Sequence, residues 1–146
     1  MQLYGCVFNL PHTVSRSVLL EAAPAEVWEA LTDAGALSEW LAPEVELEPH
    51  EGGELICRYE DGSERRGEVE LVEEAERLAF QWRREGGEPS RVELLLDAVA
   101  DGTRVTVIET AGRSAPAGPT AAACGAGWER RLGRLRALGV ERLDFA

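Results

Sequence analysis

Between Glu44 and Thr110 the chain alternates apolar and charged residues in six successive segments, and this pattern constrains the fold more than any other feature. EVELEPH (Glu44–His50) sets Val45 and Leu47 between carboxylates, and ELICRYE puts Leu55, Cys57 and Tyr59 on one face. RGEVELVEE follows with Val69 and Leu71, then RLAFQWRRE with Leu78, Phe80 and Trp82. SRVELLLDAVA aligns Val92, Leu94, Leu96 and Ala98, and TRVTVIET aligns Thr103, Val105, Val107 and Glu109. Gly52-Gly53, Asp61-Gly62, Gly86-Gly87 and Asp101-Gly102 supply tight turns between segments. Segments this short, joined this tightly, predict an antiparallel meander with an apolar inner face and an outer face dense in Glu and Arg.

The flanking segments follow the helical period or add a strand. RSVLLEA (Arg16–Ala22) reads as a strand with Val18 and Leu20 on one side. Pro24 suits the first turn of a helix carrying Val27 and Leu31, with Trp28 beside that stripe. Asp33 is placed to cap a second short helix whose face is Leu37, Trp40 and Leu41, and Pro43 ends it. AGRSAPAGPT (Ala111–Thr120) is a breaker-rich loop. After it, Ala121, Cys124, Trp128, Leu132, Leu135 and Leu138 recur at spacings of three and four, which predicts a helix of about 18 residues. Gly125, Gly127 and Gly133 weaken that helix, so tertiary packing has to hold it; glycine on its inner side would let it lie close to a sheet. An apolar sheet face needs a cover, and this is the one element large enough. The expected fold is α+β: a curved antiparallel sheet wrapped around a long C-terminal helix, with two short helices between the first two core strands.

With 146 residues, the chain fits one domain. Residues 1–15 read as an N-terminal extension available as an added edge strand, 16–138 as the domain and 139–146 as a tail. Acidic residues outnumber basic ones 27 to 15, and a net charge of −12 repels a phosphate backbone, so nucleic acid is not an expected partner. MQLYGCVFNLPHTVSR lacks a basic, apolar leader, and no apolar run reaches the roughly 18 residues of a membrane span. The expectation is a cytoplasmic protein with no membrane partner. Cys6, Cys57 and Cys124 are far apart and odd in number, which favours buried free thiols over a disulfide framework. His12 and His50 share no ligand spacing with a carboxylate or a cysteine, so neither a metal nor another cofactor is expected.

Five stretches taken together carry a resemblance: APAEVWEALTDAGALSEWL, GGEL, RGEVELVEEAERLAFQW, DGTRVTVIETAG and GWERRLGRL. In this order they resemble the START-like helix-grip (SRPBCC) superfamily, and more narrowly the bacterial homologues of the activator of the heat-shock-protein-90 ATPase. The resemblance runs from Arg16 to about Leu138 and implies a sheet gripping a long helix, with an internal cavity in many relatives. It also implies a range of functions: binding of lipids or other apolar molecules, cyclisation or dehydration of polyketide chains, sequestration of reactive compounds, or stimulation of the chaperone. The segment YGCVFNLPHTVSR before the first family strand departs from the pattern.

The inner faces supply the candidate ligand-binding residues: Tyr59, Phe80, Trp82, Val107, Glu109, Cys124, Trp128 and Leu132. Such faces line a cavity where helix and sheet do not close, and fill a core where they do. Trp28 and Trp40 fit core packing better than cavity lining. Glu109 continues an apolar face, so it either meets a pocket, as hydrogen-bond acceptor or acid–base group, or sits wet at the rim, paired with an arginine such as Arg58 or Arg113. No Cys-His or Ser-His-Asp arrangement is legible, and Glu109 is the one weak catalytic candidate. Arg130, Arg131, Arg134 and Arg136 crowd one helix and suit either the acidic sheet surface or an acidic protein partner; the pairs at 65–66 and 83–84 beside turns fit a solvated face. The leading reading is non-enzymatic binding of a small apolar or amphipathic molecule between sheet and helix. The alternatives are a cyclase- or hydrolase-type enzyme using a pocket carboxylate, and a protein-interaction module resembling a chaperone ATPase activator. An edge strand or the N-terminal extension offers a surface for a homodimer.

Overall fold

The computed structural model describes residues 13–111 and 127–137. Strand β1 (Thr13–Leu20) leads into helices α1 (Pro24–Thr32) and α2 (Ala34–Trp40). Six strands follow: β2 (Glu44–Leu47), β3 (Glu54–Arg58), β4 (Glu64–Glu73), β5 (Arg77–Arg84), β6 (Ser90–Val99) and β7 (Gly102–Ala111). Residues 127–137 are helical and are termed α3. The N-terminal part of the expected last helix, with Cys124, lies outside the described residues.

The two short helices start where local chemistry satisfies their first N–H groups. Pro24 opens α1 without needing a donor, and the Glu26 carboxylate reaches back to accept from Ala23 N at 3.1 Å. Asp33 caps α2, its Oδ2 accepting from Ala36 N at 2.9 Å. Trp40 donates from Nε1 to Ala30 O at 3.0 Å, which locks α2 onto α1. Val27, Leu31, Leu37 and Trp40 are buried in the main core, with Trp28 at its border.

All seven strands join one antiparallel sheet in the order β1-β7-β6-β5-β4-β3-β2. This corrects the expectation of a curved sheet wrapped around the helix. The sheet is open: among the described residues β1 pairs only with β7 and β2 only with β3, so they stand at opposite edges and no ladder joins them. The α1–α2 pair carries the chain from one edge to the other. Edge β2 is four residues long and turns Glu44 and Glu46 outward, a charged, short edge that resists further pairing.

A second correction concerns β4. The register with β5 shifts between Val69 and Leu71, so Glu70 is an extra residue. The alternation is thereby reset, and Val72, opposite Leu78, packs against the core instead of Leu71. Two residues before Val69, Gly67 faces Trp82 across the ladder; a Cβ there would stand 1.7 Å from Gln81 O, so only glycine allows β4 and β5 this close.

α3 covers the inner face with Trp128, Leu132 and Leu135. Each is worth about 1.5–3 kcal/mol on burial, which outweighs the roughly 1 kcal/mol lost at each helical glycine. Gly133 does not serve close packing: it is exposed, and a Cβ there would meet nothing within 4 Å. Polar ties add register. Arg131 and Arg134 donate from Nε to Leu41 O (3.3 Å) and Trp40 O (3.4 Å), and Arg16 of β1 meets Glu129 at 2.9 Å. The outer face carries a lattice of exposed pairs, including Arg58 with Glu46 and Glu64 and Arg91 with Glu70 and Glu93. At 0–1 kcal/mol apiece such pairs contribute solubility more than stability.

Candidate functional site

Where α3 crosses β5 to β7, the apolar seam holds one carboxylate. Glu109 is 5% exposed. Its Oε2 accepts from Trp82 Nε1 at 2.8 Å and from the Ser90 hydroxyl, and its Oε1 accepts from Trp128 Nε1 at 2.7 Å. Four elements therefore converge on one side chain: β5 through Trp82, β6 through Ser90, β7 through Glu109 and α3 through Trp128. A buried carboxylate is tolerable because these donors replace water. The two indoles also stack, with centroids 6.0 Å apart and planes at 26°, and Phe80 meets Trp82 edge-on at 5.3 Å. Glu109 is neither at a wet rim nor paired with Arg58, which binds Glu46 and Glu64 instead; Arg113 lies outside the described residues.

Two half-buried guanidinium groups cap this cluster. Arg131 lies 4.9 Å from the Trp128 centroid and 5.7 Å from that of Trp82. Arg65 lies 4.5 Å from the Trp82 centroid and 5.9 Å from that of Tyr59. Neither has a carboxylate within 4.0 Å among the described residues. Burial lowers the pKa of Arg131, as does the charge of Arg65, while Tyr59 and Glu109 act in the opposite direction.

The neighbouring groups are neutral at physiological pH. Cys57, directly opposite Arg65 in the sheet, is pushed up to about 12 by burial, with Arg131 and Arg65 only partly offsetting it. Its thiol is therefore a poor nucleophile. Burial also raises the Tyr59 phenol, again against the pull of Arg65 and Arg131. Arg131 is the polar neighbour of the buried Tyr59 Oη and acts on it by charge and by side-chain hydrogen bonding, although the contact is not a well-formed hydrogen bond.

Of the residues singled out from sequence, Phe80, Trp82, Val107, Trp128 and Leu132 are all buried in the same core and Tyr59 packs half-buried against it. Cys124 lies outside the described residues. Three participants escaped the sequence reading. Ser90 sits two residues before Val92 on the inner face, so alternation alone points to it. Arg65, beside a turn, fits a solvated face by sequence, but stepping back by twos from Val69 through Gly67 reaches it, and its register with Cys57 sets it inward. Arg131 follows Trp128 by three residues on the same helical face. Elsewhere, a shallow groove of about 500 Å³ beside the start of α1 is lined by Glu21, Glu26 and Asp101 and contains none of these groups. Among the described residues no cluster of metal-binding side chains occurs, and no helix is long and apolar enough to cross a membrane.

Residues 21–139 match the model of the family described as activator of Hsp90 ATPase homolog 1-like protein. No curated protein matches the chain. Among solved structures it is similar to DynU16, a protein from the dynemicin biosynthetic locus, at 30% identity and a TM-score of 0.78. That similarity covers 86% of this chain and 46% of DynU16, so the chain spans about half the length of that relative. CalU16 from Micromonospora echinospora is 26% identical with a TM-score of 0.70, covering 90% of this chain and 78% of that one. The Aha1 protein of Colwellia psychrerythraea, a dimer in solution, shares the fold at 17% identity and a TM-score of 0.72, over 85% of this chain and 92% of its own.

Proposed function

The chain belongs to the activator of Hsp90 ATPase homolog 1-like family, and from that membership and the seam between sheet and α3 we propose that it binds a small apolar or amphipathic molecule there. The observation that carries this reading is the buried Tyr59 hydroxyl at the border of an aromatic wall, to which its polar neighbour Arg131 makes no well-formed hydrogen bond. A buried hydroxyl without a well-formed hydrogen bond costs about 1–3 kcal/mol, and a site that receives a ligand gives such a group a use. The sheet, Phe80, Trp82 and Trp128 supply the apolar wall, and the family fold sets the helix over it. Glu109 serves this reading as a clasp. Its oxygens already accept from two indoles and a hydroxyl, which suits holding helix to sheet better than moving a proton in a reaction.

The test is native mass spectrometry of freshly purified protein, then thermal unfolding against a panel of fatty acids, fatty alcohols and polycyclic aromatics. A retained small-molecule adduct, or a panel member whose stabilisation is lost in Tyr59→Ala while circular dichroism stays native, is the expected result. No adduct and no stabilisation across the panel would reject the reading.

A homodimer is a second reading. Leu19, at 50% exposure, is a large apolar side chain open to solvent on β1, which among the described residues is paired on one side only, and the Colwellia protein of the same fold is a dimer. Light scattering of wild type and Leu19→Lys decides: a dimer that the substitution dissociates supports it, and a monomer at all concentrations ends it.

A further inference from the structure

Resting on the binding reading above, we propose that the ligand is an anionic amphiphile, whose carboxylate is received by Arg65, Arg131 and the Tyr59 hydroxyl. Charge is the first argument. The protein as a whole carries −12, yet here two guanidinium groups stand close enough to repel each other, with Glu109 the nearby carboxylate and already held by Trp82, Trp128 and Ser90. Arg58, Arg66, Arg77 and Arg91 have carboxylate partners, as Arg16 does at the β1–α3 contact, and the other arginines without a salt bridge among the described residues, such as Arg83, Arg84 and Arg104, are exposed to solvent. Arg65 and Arg131 are instead half-buried and laid on aromatic rings; Arg131 gives its Nε–H to Leu41 O and approaches the Tyr59 hydroxyl, and among the described residues neither guanidinium meets a carboxylate. Among the described residues the locality thus carries about one uncompensated positive charge, the complement of a single carboxylate.

Geometry is the second argument. A planar guanidinium matches a carboxylate through paired N–H donors, and Tyr59, held neutral by burial, has an O–H to donate. A cation–π contact is weaker than paired charge-assisted hydrogen bonds to a desolvated carboxylate. An arriving anion therefore draws the two half-buried guanidinium groups off the indoles, and the ring faces they release meet the apolar body.

Matched pairs test this on the full chain: decanoic acid against decanol, and 2-naphthoic acid against 2-naphthalenemethanol, titrated by tryptophan fluorescence and calorimetry. The acid of a pair is expected to bind about ten-fold or more tightly than its alcohol. Arg65→Gln and Tyr59→Phe each weaken the acid by far more than the alcohol, so that the acid-to-alcohol ratio falls several-fold; Tyr59→Phe removes one oxygen and keeps the ring. Equal binding of acid and alcohol, or a preference that survives both substitutions, overturns the anion site and leaves the apolar-binding reading standing. Failure of all four compounds to bind overturns the inference together with the reading it rests on.

Discussion

Replacing Glu109 with Gln separates a structural clasp from a ligand-facing acid. Glutamine keeps the shape but offers one acceptor oxygen and one NH2 group where the carboxylate offers two acceptors. If the amide oxygen takes the position of Oε2, it can still accept from Trp82 and Ser90, and the NH2 then confronts the Trp128 N–H, donor against donor. Flipped, the amide satisfies Trp128 and abandons Trp82, while the Ser90 hydroxyl can turn to accept. Either way one buried indole N–H is orphaned, at about 1–3 kcal/mol, and the surviving hydrogen bonds lose their charge assistance. Arg131 also loses a nearby opposite charge. The expected destabilisation is about 2–4 kcal/mol, which for a domain of this size lowers Tm by roughly 5–15 °C. Urea unfolding followed by tryptophan fluorescence and circular dichroism measures it. A double-mutant cycle with Trp128→Phe, which removes the opposed N–H, isolates the pair, and a coupling above about 1 kcal/mol is expected. A carboxylate facing an open pocket behaves oppositely, because neutralising it removes a desolvation penalty. An E109Q protein as stable as wild type, or more so, would refute the clasp.

Gly133→Ala is expected to stabilise the protein by about 0.5–1 kcal/mol, read as a rise in urea midpoint, because the new methyl meets open space on an exposed helix turn. Gly67→Ala should cost about 1–3 kcal/mol, since the clash is with Gln81 backbone, which cannot swing aside; an unchanged midpoint would show that β4 and β5 can part there. The third prediction concerns pH. The Cys57 thiol rises from 9.0 to about 12 on burial, so its contribution to stability is fully present below pH 9 and is lost as pH climbs toward 12. In a Cys6→Ser/Cys124→Ser background, thiolate absorbance at 240 nm should stay near zero through pH 10 in the folded protein; a transition near 9 would contradict the burial.

Most strands were legible because their apolar residues recur at period two and the turns are marked by Gly and Asp. Legibility failed where a single residue breaks the count. Glu70 looks like any outward carboxylate in EVELVEE, yet as a bulge it moves the inner face from Leu71 to Val72. Closure was not legible either, since the same six segments suit a curved or an open sheet, and only the pairing of β1 with β7 and of β2 with β3 distinguishes them. Glu109 could be placed inward by alternation, but its partners could not. The indoles that bind it come from 27 residues earlier and 19 later, and periodicity carries no information across such separations. Arg65 and Arg131 were obscured by the opposite prior, that arginines near turns and on helices belong to solvent. An aromatic ring within reach changes that, because a guanidinium keeps its charge half-buried when it lies on an indole face.

These polar groups act on one another through α3. Gly127 and Gly133 weaken α3, so packing has to hold it. Trp128 anchors it, by its burial and by the N–H given to Glu109. Arg131 lies three residues further on the same face, and its guanidinium stands 5.7 Å from the Trp82 centroid in the helix position that the Trp128–Glu109 hydrogen bond helps to fix. The clasp is consequently a positioning device for the arginine above it. A substitution at Ser90, which touches neither guanidinium, should loosen Glu109 and with it the placement of Arg131. In Ser90→Ala the preference for acid over alcohol should therefore fall while the alcohol's affinity is kept, a split that a defect in packing alone would not produce.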